Sequence, residues 1–286
     1  MWTPAQLLCS LLLPFGLGLL LAAVTRDLRA SATGMVQRGL GGTLLAVTAL
    51  VAYAASAGAT DAQLILPRSG FHWLAWTTLA LIPVIAVATP PGWWRWLVQG
   101  VVAVGGAALL LQPVCHSHQD LLISGAWTAV ALGSVLLSGW AVGTRPATPL
   151  VEQAAAAIAA GCVAAGSVLS GSTDLPVLVL IIPAAIVGNA VLRQREPWAG
   201  GSLATAQLLA WHLLANGGYS ELKWFGALPL ALALPAGALA ARLGHSERAS
   251  AAWRISATVA VGILGIVLIL TLGQPAQAAG DGPDYG

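Results

Sequence analysis

"WAGGSLATAQLLAWHLLANGG" (198–218) is the passage on which the fold turns. Its most apolar part, 202–216, falls short of the ~20 residues a helix needs to cross a bilayer's hydrocarbon. It also carries Gln207, His212 and Asn216. It reaches full length only if Pro197 and Trp198 begin the helix. Proline fits there, because the N–H it lacks has no helical partner in a first turn. Counted as a loop, this stretch would place every downstream basic residue on the wrong face of a membrane. Counted as a span, it completes a regular alternation.

That alternation rests on composition. The chain has 286 residues, 58% hydrophobic and 8% charged, against ~25% charged in a soluble domain. Such a chain cannot cover a water-facing surface. Its long apolar runs between short polar breaks predict an all-α, polytopic transmembrane helical bundle. Ten spans are expected, at 6–24, 39–59, 71–89, 97–115, 121–143, 150–171, 175–192, 198–216, 224–242 and 253–273. One transmembrane domain, 1–273, is followed by an acidic tail, 274–286, whose Gly, Pro and Ala content predicts disorder.

The basic side chains then sort by face. Arg26, Arg29, Arg38, Arg95, Arg145, Arg193, Arg195, Arg242, Arg248 and Arg254 fall on one side, and Arg68 and Lys223 on the other. The positive-inside rule puts the arginine-rich side in the cytosol and both termini outside, in a cell's inner (plasma) membrane. "MWTPAQ" has no basic side chain ahead of the first apolar run, so the first span does not read as a cleaved signal peptide. Trp93, Trp94, Trp96, Trp140, Trp198 and Trp253 are expected at the inner headgroup level, and Trp2, Trp73 and Trp224 at the outer one.

Weak repetition runs through the odd spans. Pro14/Arg26, Pro83/Arg95 and Pro183/Arg195 share one spacing, Pro229/Arg242 is a residue longer, and "RASA" occurs at 29–32 and 248–251. Either repeated helical hairpins or biased composition accounts for this. The prolines permit kinks. Small residues are plentiful, and Gly100, Gly161 and Gly166 read as helix-contact points.

Candidate chemistry is sparse. A formal charge of +2 with no basic stripe offers nothing to nucleic acid. Cys9, Cys115 and Cys162 form no CxxC pair. His116 and His118, with Asp120 or Cys115, suit an outer-face zinc or copper ion only if His72 or His212 converges on them. Otherwise they form a solvated turn, Ser117 or Asp120 capping the next helix. His212 and Asn216, four apart, share a helical face, with Gln207 roughly on that side. Glu152 follows Thr148-Pro149 in a first turn, where the helix dipole favours a carboxylate, or else it faces the interior as a proton- or cation-handling group. Asn189, Gln99 and Gln153 are lesser candidates for a polar cavity.

No catalytic motif is present, so enzymatic catalysis has no support, and no cofactor is implied beyond that metal ion. Two functions remain: a permease binding or moving a small solute, and a non-catalytic subunit packed against other membrane chains. The lipid bilayer is the one partner the composition itself requires. Cysteines placed in 26–38 and in 116–120 should react with a membrane-impermeant maleimide from opposite sides. Labelling of both from the same side overturns the ten-span reading.

Overall fold

The computed structural model describes residues 8–25, 34–56, 70–88, 93–112, 118–144, 148–171, 175–193, 198–219 and 222–272. These residues form ten α-helices: α1 (Leu13–Val24), α2 (Gly34–Ser56), α3 (Gly70–Ala88), α4 (Trp93–Leu111), α5 (His118–Thr144), α6 (Pro149–Leu169), α7 (Leu175–Arg193), α8 (Ala199–Tyr219), α9 (Trp224–Ala240) and α10 (Glu247–Leu272). Arg26, Arg29, Arg68, Arg145, Arg195, Cys115, His116, the first "RASA" and the tail expected to be disordered lie outside the described residues.

α2, α5, α6, α9 and α10 are each long and apolar enough to cross a membrane, and α1, α3, α4 and α7 contain shorter apolar stretches. With its exposed apolar periphery, the chain is a multi-pass helical membrane protein. α8 meets neither standard, yet it is the axis of the bundle. It packs against α2, α3, α4, α5, α6, α7 and α9, and every residue from Gly200 to Asn216 is buried. A helix that meets no lipid needs no apolar belt. This is why its composition reads so poorly as a span.

Contact register gives the direction of each helix. Gly42 meets Gly200 and Tyr53 meets His212, so α2 runs parallel to α8. Gly42 also touches Ile85 near the end of α3, so α3 is antiparallel to α2. Gly139 touches Leu203 while Gly217 touches Trp127, so α5 opposes α8. Contacts of Glu152 with Arg254, and of Gly166 with Ile269, make α6 and α10 parallel. Gly226–Ile269 and Gly237–Arg254 set α9 against α10. In these pairs even-numbered helices point one way and odd-numbered helices the other, as a chain crossing a slab repeatedly must.

Lipid supplies no hydrophobic drive between helices, so close van der Waals contact carries the packing. Glycine permits it. A Cβ on Gly42 or Gly188 would strike the backbone carbonyl of Gly200 or Phe15 respectively. Of the glycines expected at contacts, Gly166 lies under Leu230. A methyl on Gly100 would meet only Leu132 Cδ1, at 3.8 Å, and Gly161 faces open space. The prolines are absorbed in different ways. Pro14 sits in the first turn of α1, after a π-helical turn, Leu8–Leu12, where the hydrogen-bond ladder has widened. Pro83 and Pro183 lie inside α3 and α7, and α9 carries both Pro229 and Pro235.

Two boundary expectations are corrected. α10 begins at Glu247, ahead of the expected 253, so Arg248 belongs to a helix and not to a connection. Trp198, expected at the headgroup level, is 2% exposed and lies over Gly201, because the neighbours of α8 enclose its first turn as well. Trp93 and Trp94 are exposed and stacked, and Trp224 and Trp253 are exposed.

Gly42→Ala should destabilise the bundle by about 1–3 kcal/mol, the usual cost of overpacking, because backbone cannot yield as a side chain can. Gly161→Ala should stay within about 0.5 kcal/mol of the parent. Unfolding in mixed micelles measures both.

Candidate functional site

Many short hydroxyl side chains in these helices bond back one turn and cost the bundle little, although Thr48 Oγ1 and Ser56 Oγ have no hydrogen-bond partner. Thr78 Oγ1 donates to Leu74 O (2.6 Å), Ser167 Oγ to Val163 O (2.8 Å), Thr205 Oγ1 to Gly201 O (2.8 Å) and Thr258 Oγ1 to Arg254 O (2.9 Å). The remaining buried polar groups form separate arrangements.

The first joins α2 to α8. His212 Nδ1 lies 2.7 Å from Leu208 O. A carbonyl can only accept, so this nitrogen carries a proton, and in the neutral ring Nε2 is the acceptor. Tyr53 Oη, 3.2 Å from Nε2, donates to it. The two rings are tilted at 45° with centroids 5.6 Å apart. Asn216 Nδ2 donates to His212 O at 2.8 Å. Tyr53 was not among the sequence candidates. The signal for it was weak: a single phenol within an otherwise small and apolar span.

The second joins α6 to α10. Glu152 Oε1 is 3.3 Å from Arg254 Nη1, and the two side chains are 6% and 2% exposed. Thr148 precedes Pro149 at the start of α6, which puts Glu152 in the first turn beside the positive helix end. Arg254 sorts with the arginines of one face, which by itself does not mark it as this partner. The usable signal was Glu152 itself, since an acid inside a span calls for a cation, and Arg254 was the second residue of the tenth expected span. Glu152 lies about 5 Å along its helix and His212 about 20 Å along α8, at 1.5 Å per residue. The two arrangements therefore belong to different levels of the bundle.

Trp140 and Arg242 mark the arginine-bearing end, with the guanidinium 4.1 Å above the ring. Asn189 lies where α1 meets α7. Its Nδ2 donates to Ala185 O (2.9 Å), and a methyl on Gly18 would stand 3.2 Å from that nitrogen. Gln207 parts from His212. At about 100° per residue, the five steps from one to the other turn roughly 140° around α8. Gln207 instead falls between Leu203 and Trp211, on the side that meets α5 and α4. The five candidates for one polar cavity thus occupy several interfaces, and only His212 and Asn216 adjoin.

His118 and Asp120 lie in the first turn of α5, and His72 in α3. Among the described residues no group of three His, Cys, Asp or Glu side chains converges. A crevice between α5, α8 and α9, lined by Trp127, Val130, Ala131, Ala210, Leu213 and Leu214 among others, is apolar and too narrow for a water molecule. Compared with protein-family models, curated proteins and solved structures, the chain matches none.

Losing either partner of the Glu152–Arg254 pair strands a buried charge, at a cost of about 3–5 kcal/mol. Glu152→Leu and Arg254→Met should each show that loss, and the double variant should recover most of it. A double-mutant unfolding cycle measures the coupling.

Proposed function

We propose that this chain is a permease-like protein that binds and moves a small solute, with the polar side chains of α8 as its site. The reading places it in a cell's inner membrane, with the arginine-bearing end in the cytosol. One observation carries it: the most enclosed helix is the one without an apolar stretch like those of the other nine. Burying a polar side chain without a partner costs about 1–3 kcal/mol. Hydrogen bonds between packed helices account for His212 and Asn216, but Gln207 leaves Nε2 without a partner. α8 carries Gln207, His212 and Asn216 at 3% exposure or less, on two sides of its axis, within reach of several helices that contain prolines.

The alternative, a non-catalytic subunit, is favoured by α10. It is the least enclosed of the long spans and presents Ile263, Leu264, Val267 and Leu270 outward, a face suited to a partner helix as well as to lipid. The two readings part on the accessibility of α8. Its residues should be replaced singly by cysteine, in a chain whose three native cysteines have been changed to alanine. A permease exposes positions 207 and 211 to an impermeant maleimide from at least one side. Complete protection along α8, together with stoichiometric co-purification of other chains, would replace this reading with the subunit one.

A further inference from the structure

Asn189, Asn216 and His212 each satisfy a nitrogen on the carbonyl one turn back. Several longer side chains do not, three of them on α4 and α8. Gln99 leaves Nε2 and Oε1 without a hydrogen-bond partner, Gln207 leaves Nε2, and Trp211 leaves Nε1. All three residues are buried, at 5%, 3% and 1% exposure. They share one seam. A methyl on Gly139 would stand 2.8 Å from Gln99 Oε1 and 3.3 Å from Leu203 Cδ2, which fixes one level of α4, α5 and α8. Two turns along, the Trp211 indole nitrogen rests on Gly106 of α4. Gln207 lies one turn from both Leu203 and Trp211, and its angular position on α8 falls between theirs. α4 and α8 run parallel here, so the seam extends along them for about 10 Å, the rise of seven residues.

We propose that this seam between α4, α5 and α8 is a binding site for a small uncharged solute bearing hydroxyl groups. The chemistry of the groups selects that class. An indole N–H and an amide N–H₂ can only donate, so the ligand must accept at two places. Gln99 presents a donor and an acceptor together, and a hydroxyl answers both. Gln99, Gly106, Gly139, Leu203, Gln207 and Trp211, which define the seam, carry no charge, and the buried Arg254 is held by Glu152. A charged ligand would therefore be desolvated without a counter-ion. Gly106 and Gly139 matter because a side chain at either would fill the space that Trp211 and Gln99 occupy.

The inference rests on the permease reading, and glycerol serves as the probe for both. The full chain, ¹⁵N-labelled at its tryptophan indoles, is titrated with glycerol, and Trp211→Phe identifies the Trp211 resonance. Glycerol flux into proteoliposomes is measured in parallel. The Trp211 N–H signal should shift saturably. Gln207→Leu and, on the other helix, Gln99→Leu should each weaken the response about five-fold or more, as loss of one hydrogen bond implies. Neither variant should lower the thermal midpoint, because each removes a group with no protein partner. Flux with a silent Trp211, or with a Trp211 response that neither leucine variant alters, removes this site and leaves the permease. A saturable Trp211 shift without flux keeps the site and removes transport. With neither signal, both readings fall.

Discussion

Hydrocarbon offers no hydrogen bonds, so every polar atom inside a membrane bundle must be satisfied by the chain itself or by something the chain admits. The arrangement around α8 follows from that constraint. Helical backbones satisfy themselves, and the hydroxyls of Thr78, Ser167, Thr205 and Thr258 fold onto the preceding turn. Side chains that cannot fold back need a neighbour. The bundle supplies one for His212 in Tyr53 and one for Glu152 in Arg254. It concentrates such groups on the helix most shielded from lipid, where the penalty for exposing them to acyl chains does not arise.

Enclosing α8 requires close approach on several sides at once, and small residues make it possible. Gly42 lets α2 lie against the α8 backbone, while Gly106 and Gly217 make room for the large rings of Trp211 and Trp127. The periphery obeys a different rule. α10 and α5 keep most of their apolar side chains facing outward, and α10 is fastened through its glycine-lined contact with α9 and its ion pair with α6. Close contacts at the rim hold the bundle together. The polar side chains at the axis are left for the recognition proposed above.

Much of this was legible in the residues. Charge content required a membrane, and the sorting of arginines pointed to ten crossings, including one through 198–216. The opposed directions of even and odd helices agree with that count. His212 and Asn216 could be paired from their spacing, because i and i+4 neighbours are a local property of any helix. Gln207 could not be placed by the same reasoning. Its separation from His212 is a matter of rotation about the axis, and its neighbours belong to α4 and α5, far away along the chain.

By itself, then, the sequence determined what is set by composition and short-range periodicity: a multi-pass helical membrane protein, the position of its helices, and the pairing of residues within one turn. Only the tertiary structure decided that the helix without a membrane-length apolar stretch is the central one, that Trp198 is enclosed, that Arg254 turns inward to Glu152, and that Gln99, Gln207 and Trp211 share a seam. The reason is physical. Hydropathy reports how a segment partitions between water and lipid, whereas α8 partitions into protein, and which helices surround it depends on packing between residues scores of positions apart.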